Sequence, residues 1–265
     1  MKKYAFRFSV QQTFDEPILK HSFLLRCMPG TFPFQRSYAH KLTISPHAAL
    51  DHISDAYGNE MYTGTIDKKH TSFGFTAEGF VLCSNYVIHD PLDRLYLYPT
   101  PLTRPTAQME RLLVGEPLPE EPWEKAKALC ALTRRSLDFI PLSGQQTAAE
   151  TMETGVGDAR DHVHVFLCLC RLSGIAARFV SGLAAGVPQS HAWAEVYCGG
   201  VWRAMDPTTG KPVVEGYLKI AHGRDYDACA VERSCFRAAD TPSRREVSVQ
   251  VTEHVIRTRD TVPHA

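Results

Sequence analysis

An apolar helix that opens at Ala159–Asp161, runs to Ser173 and is stopped by Gly174 constrains this chain more than any other stretch. A glycine just past the last periodic residue is an ordinary helix stop, because it takes the left-handed conformation at no steric cost. Strand patterns at 177–181, 192–197 and 201–205 follow almost at once, the last two joined by Cys198-Gly199-Gly200. Two glycines between alternating strands suit a tight hairpin. A helical period that gives way to paired strands predicts an α+β layer, with the helix packed on an antiparallel sheet.

Upstream the period is different. Residues 4–10, 21–27 and 41–45 alternate between apolar and polar, and further strands are predicted near 61–67, 71–77 and 79–85, the last pair joined at Glu78-Gly79. Short strands at this spacing predict an N-terminal β-sandwich-like domain over 1–90. Residues 86–122 are rich in proline and read as an ordered crossover with a short helix near 105–113. From Trp123 a helical period returns, through Ala126, Leu129, Cys130, Thr133 and Leu137, after a Pro119-Glu120-Glu121-Pro122 start. The core domain is predicted over 91–244, and a closing strand at about 245–257 is expected to return to the N-terminal domain.

The chemistry centres on three places: Gly157-Asp158-Ala159-Arg160-Asp161, His191-Ala192-Trp193 and Asp206-Pro207-Thr208. A helix start lowers the pKa of a thiol, since backbone N–H dipoles face the developing charge. Position 159 is such a start. His191 opens one hairpin strand and Asp206 closes the other, so pairing would bring a base and an orienting carboxylate together. The order is nucleophile slot, base, orienter, but the slot holds Ala159. Its backbone N–H, unpaired at a helix start, is the better candidate oxyanion donor, with the Gln145 and Gln146 amides as a lesser one. Asp161 and His164 read as fold supports, Asp161 as a helix cap.

These residues resemble the transglutaminase-like superfamily, whose core carries a Cys at a helix start, a His in a His-Ala-Trp strand and an Asp in an Asp-Pro-Thr strand end. The likeness is closer to the bacterial transglutaminase-like cysteine peptidase branch with an N-terminal β-domain. There the motif Gly-Val-Cys-x-Asp-x-x-His falls in register with Gly157, Ala159, Asp161 and His164. The connection from Arg171 to Gly182, the run Gly223-Arg224-Asp225-Tyr226-Asp227, and Leu25-Arg26, Pro29, Asp55 and Gly58-Asn59 fit the same branch. The resemblance implies a papain-like transglutaminase core after the β-domain, with Ala159 at the nucleophile position and His191 and Asp206 as its partners. Asp158 and His162 depart from the pattern, standing where the branch has a small apolar and an aromatic residue.

The activity so implied is attack on an amide, peptide or thioester carbonyl through an acyl-enzyme, with peptidase or amidase action preferred to amine transfer. Alanine has no nucleophilic atom, and the chain as written is expected to be catalytically dead. The retained His191 and Asp206 lead to the expectation of an engineered Cys→Ala form of an active parent. The alternative is a natural pseudoenzyme that binds peptides or a partner without turnover. A third reading has His191 activate water directly.

Composition excludes other classes. Formal net charge is zero and charged residues make up 22%, which leaves no electrostatic footprint for nucleic acid or an anionic membrane. No stretch reaches the roughly 18 apolar residues of a membrane span. The eight cysteines lack framework or Cys-x-x-Cys spacing, and Arg7, Asp15 and Glu16 interrupt any leader-like apolar run. A cytoplasmic protein with reduced thiols is expected, acting on a peptide or amide substrate with no cofactor and no metal. His162 and His164 are two residues apart on a helix and point in different directions, which argues against joint ligation.

Overall fold

Alternation drives the first strand far beyond its predicted length. The structure, a computed structural model, describes residues 1–142, 144–238 and 241–254. The N-terminal part supplies β1 (Lys2–Leu25), β2 (Gln35–Ser45), β3 (Asp51–Ser54), β4 (Glu60–Ile66) and β5 (His70–Cys83). A crossover follows with β6 (Val87–Ile88), single 3-10 turns at Arg94–Leu97 and Pro101–Thr103, and α1 (Ala107–Val114). Next come α2 (Pro122–Ser136), β7 (Asp138–Phe139), α3 (Ala148–Thr154), β8 (Val156–Gly157) and α4 (Ala159–Leu172). The remainder comprises β9 (Ala177–Ala184), β10 (His191–Cys198), β11 (Val201–Asp206), β12 (Lys211–Pro212), β13 (Tyr217–Gly223), α5 (Tyr226–Cys229), β14 (Glu232–Arg237) and β15 (Ser243–His254).

The stretches 4–10 and 21–27 are therefore two arms of one strand, not separate strands. Tyr4, Phe6, Phe8 and Val10 point inward from the first arm, and Phe23 and Leu25 from the second. Between the arms the pairing with β5 shifts register from Thr13 to Ile18, and Lys20 takes a positive φ of 51°. This irregularity redirects the strand without ending it. The first arm lies between β5 and β15, the second between β4 and β14. The last strand thus pairs with the first, and the 255–257 end of the predicted closing strand lies outside the described residues.

No turn occurs at Glu78-Gly79; β5 runs straight through. Gly79 serves close approach instead: a Cβ there would lie 2.8 Å from His40 Cα and 3.2 Å from the Phe6 ring. A strand glycine marks either a bend or a crowded neighbour, and the sequence pattern does not distinguish them.

The second layer is an antiparallel sheet in the order β12-β11-β10-β9-β13, with β6 also on β11. Cys198 pairs with Val201 across Gly199 and Gly200, whose φ values of 61° and 82° are those a tight hairpin requires. Helix α4 packs on β9 and β10, on the face where Ala192, Ala194 and Val196 keep side chains small. The α+β architecture is therefore an N-terminal β-rich part followed by helices on an antiparallel sheet.

The opposite sheet face is aromatic and charged. Trp193, Trp202, Phe34, Tyr86 and Tyr96 form one buried cluster there. Glu195 is fully buried between Lys219, whose Nζ donates to both carboxylate oxygens at 2.8 and 2.9 Å, and Arg178. Tyr86 donates to Glu195 at 2.6 Å and accepts from Trp193 Nε1 at 3.0 Å. Burial works against the Glu195 charge, yet Arg178 and Lys219 hold its carboxyl well below the usual range. Burial in turn pushes the Lys219 ammonium down to about 7, against the pull of Glu195.

Two side-chain amides bind the N-terminal part to β13. Gln35 donates to the Lys219 carbonyl and accepts from its N–H, both at 2.8 Å. Asn59 does the same at His222, again at 2.8 Å in both directions. Each amide stands in for a strand partner.

Removing one member of a buried ion cluster strands the others. Glu195→Gln is expected to lower the unfolding free energy by about 3–5 kcal/mol in urea titration, while Glu246→Gln on the surface should change it by less than about 0.5 kcal/mol. Gly182→Ala is expected to cost about 1–3 kcal/mol by the same measurement, because a Cβ there would strike the Leu218 carbonyl and the Trp193 ring.

Candidate active site

Helix α4 begins where it does because two carboxylates share the work of capping it. Asp158 is the N-cap residue, and its side chain accepts from Arg160 N at 2.8 Å and Asp161 N at 3.4 Å. Asp161 returns the bond to Asp158 N at 3.0 Å and also accepts from Gln146 N at 3.1 Å. Asp161 thus acts from the third helical position of a capping box, not as the cap residue itself. Burial, with the Asp158 charge beside it, pushes the Asp161 carboxyl up to about 6 against these backbone donors. Gly157 is required by proximity, since a Cβ would lie 2.7 Å from Asp161 Cβ. Among the described residues the Ala159 N–H has no hydrogen-bond acceptor, while its two successors are taken by Asp158.

The hairpin delivers the second part of the site. Ala194 pairs with Met205, so Asp206 stands opposite Trp193 and one diagonal step from His191, on the same sheet face. His191 Nε2 lies 2.9 Å from Asp206 Oδ2. With a carboxylate as acceptor, Nε2 carries the proton and Nδ1 is left with its lone pair in the neutral ring. Asp206 is 1% exposed and His191 9%. Thr208 donates to Asp206 Oδ1 from its N–H at 2.9 Å and its hydroxyl at 2.5 Å, and the Tyr217 hydroxyl donates to Oδ2 at 2.7 Å. Burial works to raise the Asp206 carboxyl, but the donors His191, Thr208 and Tyr217 bring it below its ordinary value. The carboxylate therefore stays charged beneath the imidazole.

Helix and hairpin meet at one end of the sheet. Arg171, near the end of α4, donates to the Ala177 carbonyl at the start of β9. The His164 ring lies 5.3 Å from that of Phe179, two residues further along β9. The helix therefore runs antiparallel to β9. Five residues back from His164, roughly 7.5 Å of helix or about two strand residues, brings Ala159 level with Ser181 and Gly182. Gly182 is the ladder partner of His191. Ala159 and the His191–Asp206 pair thus share an end of the sheet, although α4 covers the face opposite Trp193.

The other candidates have structural duties. Gln146 Nε2 donates to the Val156 carbonyl at 3.3 Å and its Oε1 accepts from Thr154, so this amide braces the loop. His164 Nδ1 faces the Gln146 carbonyl at 3.2 Å and Nε2 accepts from Tyr226 N at 3.3 Å; burial pushes its pKa down to about 4 and keeps it neutral. His162 Nδ1 faces the Asp158 carbonyl at 2.9 Å. The two thiols further along α4 are held protonated: burial pushes Cys168 up to about 12 and Cys170 well above its ordinary value. Tyr217 was invisible in the sequence, since its strand carried no motif and only the sheet order brings it to Asp206.

Residues 4–82 match the bacterial transglutaminase-like N-terminal region, and residues 110–207, which contain Ala159, His191 and Asp206, match the transglutaminase-like superfamily core. Uncharacterized proteins of Mycobacterium tuberculosis and Mycobacterium bovis are each 27% identical over 262 residues, covering 82% of this chain and 82% of the relative. An uncharacterized protein of Mycobacterium leprae is 30% identical over 118 residues, 40% of this chain and 42% of the relative. A crystal structure from Cytophaga hutchinsonii, described as a "putative cysteine protease", shares the fold with a TM-score of 0.81 at 21% identity, covering 99% of this chain and 93% of that one. The family matches thus place residues 110–207 in the transglutaminase-like superfamily and residues 4–82 in the bacterial transglutaminase-like N-terminal region.

Proposed function

We propose that this site receives the carbonyl of a peptide or amide and is arranged for Cys-His-Asp acyl chemistry, with Ala159 halting it at binding. The observation that carries the reading is the intact His191–Asp206 pair, 2.9 Å apart and level with the start of α4. In a parent with cysteine at position 159, the helix start and a neighbouring imidazolium would favour the thiolate. The sulfur would add to the carbonyl carbon, and the N–H of residue 159 would hold the oxyanion. His191 Nδ1 would then give its proton to the leaving amine as the C–N bond breaks, leaving a thioester. Water, deprotonated by the same nitrogen, would release the acid; an amine in place of water would give transfer. Hydrolysis is preferred, and the Ala159 methyl, with no electron pair, performs neither.

The retained pair favours a Cys→Ala change in an active parent. One observation favours the second reading, a natural binding protein without turnover. Asp158 places a carboxylate at the N-cap of α4, ion-paired to Arg160 at 2.5 Å, where it competes with a thiolate for the same backbone dipoles.

Ala159→Cys separates the two readings. On the first, the restored thiol reacts with iodoacetamide at neutral pH faster than Cys235, the exposed thiol of the same chain, and intact mass after incubation with a peptide mixture shows an acyl adduct or cleaved peptide. His191→Ala in that background is expected to lower turnover by about 10²–10⁴-fold. A thiol no more reactive than Cys235, together with no adduct, overturns the catalytic reading.

A further inference from the structure

The phenol of Tyr217 lies on the one carboxylate that orients His191. Asp206 Oδ2 accepts from His191 Nε2 at 2.9 Å and from the Tyr217 hydroxyl at 2.7 Å, whereas Oδ1 is occupied by Thr208. The two donors compete for a single oxygen.

Tyr217 reaches that oxygen from the far edge of the sheet. It belongs to β13, separated from β11 by β9 and β10. On this face the position of β9 beside His191 is Gly182, so no side chain intervenes. A Cβ at Gly182 would strike Trp193, which itself packs edge-on to Tyr217 with ring centroids 5.2 Å apart. The Tyr217 ring is 5.8 Å from the His191 ring. Tyr217 also lines a cavity of ≈ 470 Å³ between the N-terminal part and the core, beside Phe34, Tyr86 and Val213. The ring is thus held by packing, and its hydroxyl is directed by it.

We propose that Tyr217 is a positioning residue for the His191–Asp206 pair, setting through the shared Oδ2 how strongly the carboxylate holds the imidazolium. A donor on that oxygen draws off part of its negative charge and weakens its bond to Nε2–H. The imidazolium is then held in place but releases its Nδ1 proton to a leaving amine more readily than over an unshared carboxylate. The groups facing Asp206 are His191 from β10, Tyr217 from β13 and Thr208 from the turn, with the Cys130 thiol of α2 within electrostatic reach. Burial keeps Cys130 protonated and uncharged, and burial beside Asp206 keeps the phenol a donor. The role in proton release rests on the acyl chemistry proposed above; the sharing of Oδ2 does not.

Tyr217→Phe keeps the ring and removes the hydroxyl. In the chain as it stands, with ¹⁵N-labelled histidine, the Nε2–H proton of His191 (identified by its loss in His191→Ala) is expected to move downfield, because Oδ2 is left to one donor. Tyr217→Met, which also lacks the hydroxyl, gives the same comparison should the phenylalanine variant fail to fold. In the Ala159→Cys background, Tyr217→Phe is expected to move the alkaline limb of kcat/KM, where the imidazolium loses its proton, upward by roughly half to one pH unit. A His191 Nε2–H resonance unmoved in a folded variant overturns the proposal even if Ala159→Cys is active. A downfield shift with an inert Ala159→Cys protein upholds the sharing and defeats only the acyl reading.

Discussion

A buried carboxylate holds the core sheet together. Glu195 has no access to water, and its charge persists only because Lys219 from β13 and Arg178 from β9 converge on it. Three strands are thereby tied through one group, in an interior where an unpaired charge would cost several kcal/mol. Tyr86 extends the cluster to Trp193, and Gln35 binds the backbone of Lys219 to β2. The same sheet face carries His191 and Asp206. Its register is what sets the candidate site, so the geometry of the site depends on charges that take no part in its chemistry.

The candidate site shows the complementary logic. Helix α4 starts at a capping box that satisfies the N–H groups of residues 160 and 161 and, among the described residues, leaves that of residue 159 without an acceptor. The hairpin fixes Asp206 opposite Trp193, which sets His191 one step away. A charged acceptor, an oriented imidazole and an open N–H stand at one end of the sheet. Alanine suits this helix start, because it is the best helix former and buries no polar group.

How far these features could be read in advance depended on their range along the chain. The hairpin, the α4 start and the His191–Asp206 pairing are local: each follows from a glycine turn, a cap or strand alternation within a few residues. The N-terminal strands were harder. Phe14 to Lys20 reads as a break between strands but is a bend within β1, and Gly79 reads as a turn although it makes room for Phe6 and His40. In both places the deciding partner is distant in sequence. Gln146 shows the same limit, because its amide faces Val156 and Thr154 instead of the site.

Local chemistry is enough for the α+β class, for the helix that carries position 159, and for the hairpin that pairs His191 with Asp206. Periodicity and turn residues encode these directly. The sheet order was settled only in three dimensions, and with it the Glu195 cluster and the access of Tyr217 to Asp206 across the bare surface of Gly182. Nothing in the spacing of those residues announces the contact, because strands far apart in the chain become neighbours only when a shared face must bury its charges and close-pack its rings.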